Sequence, residues 1–134
     1  MHYTTVLAVA LGIASTAAAA PALSPRNTVI YATFYDDNNC SQNGGRAVSC
    51  ANPGCLNESG RHSIYFQKAS TDKSYNLVFS PSPNCPCQSY CQNDIVGSQY
   101  LPACVSLAGK PSAESFRFIE DGLGQARGCS ANNC

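Results

Sequence analysis

Residues 30–35 read Ile30-Tyr31-Ala32-Thr33-Phe34-Tyr35, and residues 75–79 read Tyr75-Asn76-Leu77-Val78-Phe79. In the first stretch Ile, Ala and Phe alternate with Tyr, Thr and Tyr. Successive side chains of a strand point to opposite faces, so this two-residue period describes a strand with one buried face. A turn cluster follows each stretch: Asp36-Asp37-Asn38-Asn39 before Cys40, and Ser80 to Pro83 before Asn84-Cys85. The correspondence continues. Cys55-Leu56 matches Cys104-Val105, and Ser63-Ile64-Tyr65-Phe66 matches Ser115-Phe116-Arg117-Phe118. The offset grows from 45 to 49 to 52 residues, as loop insertions in a second copy produce.

The chain therefore reads as two related units, 28–68 and 73–120, each opening and closing on an apolar strand. The inward sets are Ile30, Ala32, Phe34, Ile64 and Phe66 in the first, and Tyr75, Leu77, Phe79, Phe116 and Phe118 in the second. Neither unit alone buries enough apolar surface, so the two are expected face to face. The expected fold is all-β: one small disulfide-stapled domain over 28–134, built of two Greek-key-like units packed as a β-sandwich, with a Cys-bearing tail over 121–134. Residues 113–119 are the best helix candidate, and their Ser-Phe-Arg-Phe alternation favours a strand.

Composition sets the location. The chain has 134 residues, zero formal net charge, only 12% charged residues and nine cysteines, all from Cys40 onward. A neutral chain lacks the clustered cations that grip nucleic acid, so none is expected as a partner. An uncharged apolar run from Val6 to Ala14, followed by small residues from Ser15 to Ala20, has the layout of a secretory signal peptide. It is read as residues 1–19, with cleavage after Ala19. The run is too short and Ala-rich for a membrane span. Residues 20–27 (APALSPRN) read as an extended, Pro-rich segment. Secretion and abundant cysteine agree, because disulfides persist in oxidising compartments.

Tyr35-Asp36-Asp37-Asn38-Asn39-Cys40 with Gly44-Gly45, then Ser63-Ile64 on a closing strand, resemble the Greek-key unit of βγ-crystallin-type domains, where an aromatic and a Gly fold the first hairpin over. The whole chain is similar to the small secreted cysteine-rich proteins of filamentous fungi, many of them candidate effectors. Some killer toxins share the crystallin-type fold. The resemblance implies an extracellular protein that acts by binding, and it raises calcium as a ligand. Calcium needs several oxygens at once. The corresponding stretch Glu58-Ser59-Gly60-Arg61-His62-Ser63 offers one carboxylate beside an Arg, and Lys110 to Ser115 offers one Glu and one Lys. Asp36 and Asp37 suit a turn for backbone reasons. Neither a metal nor a cofactor is expected.

Cys85-Pro86-Cys87 and Cys91 are a possible thiolate cluster, but in a secreted chain they read as disulfide partners. By the repeat, Cys40, Cys50 and Cys55 correspond to Cys85, Cys91 and Cys104. Cys87, Cys129 and Cys134 are extra and are expected to tie the tail to the second unit. Nine cysteines leave one over, which permits either a free thiol in a monomer or a covalent dimer. Asn57-Glu58-Ser59 is a glycosylation sequon, as is Asn39-Cys40-Ser41. Beyond the leader His62 is the only histidine, and Glu58, Arg61 and His62 are the residue types of a small ribonuclease. On a strand Arg61 and His62 point to opposite faces, and the ribonuclease motifs are absent; the plainer reading is an exposed His on a solvated strand edge.

The expected function is binding, to a host or cell-surface protein or a glycan; a small hydrolase and a wall-associated structural protein are the competing classes. Recognition is expected on the long second-copy loop from Ser80 to Pro102, through Tyr90, Asn93, Asp94 and Tyr100. Tyrosines offer apolar area and a hydroxyl at low entropic cost. The competing role for Tyr90 and Tyr100 is to cover the cysteine cluster.

Overall fold

A computed structural model describes residues 29–52, 54–97, 101–121 and 129–134. The leader and the segment over 20–27 lie outside these residues, as do Tyr100 and most of the Gly-rich stretch after Asp121. Seven strands and no helix occur among the described residues: β1 (Tyr31–Tyr35), β2 (Val48–Ser49), β3 (Ser63–Phe66), β4 (Ser74–Ser80), β5 (Tyr90–Gly97), β6 (Ala103–Ser106) and β7 (Ser115–Asp121). They form two antiparallel sheets, ordered β2-β1-β3-β6 and β5-β4-β7. The expected disulfide-stapled β-sandwich is therefore the observed fold.

Register shows why alternation identified the core. Phe34 sits opposite Ile64 and Ala32 opposite Phe66 in one sheet, while Leu77 faces Phe118 and Phe79 faces Phe116 in the other. Opposed residues share a face, so all ten inward candidates converge and each is at most 3% exposed. Phe34, Phe79 and Phe116 meet with ring centroids 5.2 Å apart, tilted or edge-on as ring quadrupoles prefer. Cys50, Ile95, Val96 and Leu107 complete this cluster.

The two units exchange segments. β6, from the second unit, pairs with β3 of the first, placing Val105 opposite Ile64. Reciprocally, Leu56 of the first unit bridges Phe116 of the second through two backbone hydrogen bonds of 2.8 Å. Two disulfides lie on the same exchange: Cys40–Cys104 and Cys55–Cys85. Each joins the cysteine after a unit's first strand to the segment lent by the other unit. Separating the units therefore requires breaking both sheets and both bonds.

Equivalent serines hold equivalent turns. The hydroxyl of Ser63 accepts the Cys40 N–H at 3.1 Å and donates to the Asp37 carbonyl at 2.5 Å. That of Ser115 accepts the Cys85 N–H at 2.9 Å and donates to the Ser82 carbonyl at 2.6 Å. Both serines are fully buried, and Cys40 and Cys85 share a left-handed backbone with φ of 54° and 50°. The turns differ elsewhere. In the first unit the Tyr35 ring lies on Gly44 so closely that a Cβ there would come within 2.7 Å of it. The second unit has Ser80 in place of that tyrosine.

Three expectations are corrected. The stretch Ser80 to Pro102 is not one long loop, because Tyr90–Gly97 forms β5 against β4; Ile95 and Val96 turn into the core and draw the chain into the sheet. Cys50 and Cys91 do not behave as equivalents: Cys91 bonds Cys129, whereas Cys50 is the unpaired cysteine. Burial pushes the Cys50 thiol up to about 12, so it remains protonated and inert. His62 does not precede an edge strand either, since β3 lies between β1 and β6.

Candidate functional site

β5 is a terminal strand of its sheet and carries three of the four candidate binding residues. Tyr90 opens it. Its half-buried ring stands edge-on to Phe79, with centroids 5.2 Å apart. Its hydroxyl donates to Gln92 Oε1 at 3.1 Å, and Lys110 Nζ donates to the same oxygen at 2.6 Å from 5.9 Å off the ring centroid. The Tyr90 ring thus covers the aromatic core on one side and meets a cation on the other.

Asn93 and Asp94 are exposed. The Asn93 side-chain oxygen accepts the Cys129 N–H at 3.2 Å, and the Asp94 N–H donates to Asn76 Oδ1 at 2.8 Å. The register slips between Tyr75 and Leu77, and Asp94 takes a φ of 47° at this irregularity. Asp and Asn tolerate that conformation better than other side-chain-bearing residues, and a bulge re-aims the side chains beside it. The structure therefore joins Tyr90, Asn93 and Asp94 on one strand and leaves Tyr100 outside the described residues. Sequence reading missed Gln92 and Lys110. Lys110 reaches β5 from the connection after β6, a contact without local signature.

The tail fixes this region. Cys87–Cys134 and Cys91–Cys129 tie it to the second unit. Between them Gln88 bonds four tail residues: its N–H donates to Asn133 Oδ1, its amide to the Ser130 carbonyl and Asn132 Oδ1, and its carbonyl accepts from Asn133 and Cys134. Cys85, Cys87 and Cys91 thus go to three separate partners, and among the described residues no three of His, Cys, Asp and Glu gather around a point.

Glu58, Arg61 and His62 are not poised as an acid–base set. Arg61 donates to Glu58 at 2.8 Å, to Asp36 at 2.7 Å and to the Asn43 carbonyl at 2.7 Å, so both carboxylates are engaged with its single charge. Burial opposes its ionisation, but the contacts with Glu58 and Asp36 outweigh it and raise its pKa. His62 is exposed, and its backbone bonds both Tyr35 and Leu107. Asp37 is occupied within its own turn by Ser41, Gln42 and Asn39. Asn57 is exposed, and its side chain pairs with Asn84 across the exchange.

No protein-family model, no curated protein and no solved structure matches the chain. The chemistry available at β5 is that of a fixed contact surface: an amide, a carboxylate and an ammonium beside a half-buried tyrosine.

Proposed function

We propose that this chain is a secreted, non-enzymatic binding protein, a fungal effector or toxin-like protein that acts outside the cell or on a host. The observation that carries the proposal is the fixation of β5. Cys91 is disulfide-bonded within the strand, Tyr90 is seated on Phe79, and Asp94 is tied to Asn76, while Asn93 and Asp94 remain exposed. A surface already held in one conformation loses little entropy on docking, and that saving appears as affinity. The occupation of Glu58 and Asp36 by Arg61 weighs against the ribonuclease class.

The test is infiltration of host tissue with the purified, oxidised protein, beside the double variant Asn93→Ser, Asp94→Asn. Asn tolerates the positive φ at position 94 and removes only the charge. The oxidised protein is expected to elicit a tissue response, and the variant, with its four disulfides and β-type circular dichroism intact, to lose most of it. Absence of a response to the native protein, or an undiminished response to the folded variant, overturns the proposal.

A further inference from the structure

A second site lies where the two units' last connections meet. Gly60 and His62 of the first unit and Leu107, Gly109 and Lys110 of the second surround a cavity of about 250 Å³, whose inner end is closed by the core rings of Phe79 and Phe116. Both glycines are left-handed, with φ of 77° and 76°, and each has open space where a Cβ would stand. Glycine is the residue that adopts this conformation without strain. It also leaves bare backbone at the mouth of the cavity.

The polar groups lean to one sign. Lys110 is half-buried and has no carboxylate within ion-pair distance among the described residues; it spends one N–H on Gln92 and keeps two. The exposed His62 also lines the cavity. Arg61 forms part of the wall, but its charge is matched by Glu58 and Asp36. The remaining walls are mostly apolar, from Leu107, Pro111 and Ala113, with Ser112 among them. The volume falls below the roughly 300–1,000 Å³ of sites for drug-sized ligands, so it has room for a single small ring.

We infer that this cavity binds an acidic sugar residue, a uronate, with its carboxylate on Lys110, its hydroxyls at His62 and the glycine backbone, and its apolar ring face against Leu107 and Pro111. This goes beyond the β5 surface, because it assigns a small-molecule site whose occupancy is measured without any host response.

The experiment is amide NMR titration of the full oxidised protein with D-galacturonate, D-galactose and inorganic phosphate. Galactose has the ring without the carboxylate, and phosphate has the charge without the ring. Galacturonate is expected to shift the amides of Gly60, His62, Gly109 and Lys110 in a saturable manner, with galactose and phosphate each about tenfold weaker, as loss of one charge-assisted hydrogen bond or of ring contact produces. Lys110→Gln is expected to weaken galacturonate by about tenfold, and His62→Gln by less; the second variant carries the test if the first misfolds. Shifts confined to other residues, equal binding of galactose or phosphate, or folded variants that bind as the native protein does would each overturn the assignment.

Discussion

The outer faces of the two sheets differ sharply although their inner faces follow one pattern. On the β2-β1-β3-β6 sheet, Tyr31, Thr33 and Tyr65 share the outward side, as the pairing of Thr33 with Tyr65 requires; Thr33 is 8% exposed, and both tyrosines are half-exposed. On the β5-β4-β7 sheet the outward Val78 is only 3% exposed. The difference comes from the tail. Ser130, Ala131 and Asn133 stand over Val78, Arg117 and Ile119 across a cavity of about 260 Å³ and are held there by two disulfides and by Gln88. One sheet thus keeps half-exposed tyrosines on its outer face, and the other carries the disulfide-held tail on its outer face. Cross-links serve both cases differently: one pair joins the two units, and the other pair holds the tail on a sheet.

The largest expected effect removes both kinds of cross-link. Four bridges at about 2–4 kcal/mol each exceed or consume most of the roughly 5–15 kcal/mol stability of an ordinary domain. Complete reduction with thiol capture should therefore abolish the β-type circular dichroism at room temperature. An unchanged melting temperature after capture would show that the core alone suffices, and the contrast between the two pairs would then have no energetic meaning.

A smaller effect separates the layers. Replacing Cys87, Cys91, Cys129 and Cys134 by Ser should free the tail while leaving Cys40–Cys104 and Cys55–Cys85 in place. Val78→Ala should cost about 1–1.5 kcal/mol in the native background, from two buried methyl groups, and near zero once the tail is freed. Tyr65→Ser on the other sheet should cost under about 1 kcal/mol in both backgrounds. Denaturant unfolding of the six proteins measures this. Equal costs for Val78→Ala with and without the tail bonds would mean that the tail does not bury it.

Legibility followed the range of the interactions. Ile30, Ala32 and Phe34 announce their face through a two-residue period, which depends only on neighbours in sequence, and Phe116 and Phe118 do the same. The strand β5 was hidden because Cys91, Gln92, Asn93 and Asp94 interrupt its apolar pattern, leaving Ile95 and Val96 as its buried pair. The lending of Leu56 and Val105 to opposite sheets was not legible, since each depends on a partner far along the chain. Val78 reads as an outward residue but is buried, beside a cavity that it shares with tail residues more than fifty positions later. The candidate site followed the same rule. Tyr90, Asn93 and Asp94 stood out by residue type, whereas Lys110 and the engagement of Arg61 by Asp36 required the folded geometry.

The smallest expected effect concerns a carboxylate that the first unit's turn has and the second unit's turn lacks. Asp37 accepts hydrogen bonds from the Ser41 hydroxyl at 2.7 Å and from the N–H groups of Gln42, Ser41 and Asn39, and these hold its carboxyl well below the usual carboxylate range. The equivalent turn of the second unit places Ser82 and Pro83 there. A carboxyl whose folded pKa is depressed contributes stability above its unfolded value, about 3.9, and that contribution is lost as pH falls. Asp37 lies at the surface, where solvent and salt screen it, so the effect is modest. Asp37→Asn should therefore melt slightly below the native protein at neutral pH, and the two melting temperatures should converge as pH falls from 4 towards 2. Added salt should narrow the neutral-pH gap. A gap that is constant across that range would mean that the carboxylate charge contributes nothing to the turn, and that the first unit's hairpin is held by Tyr35 on Gly44 and by Ser63 alone.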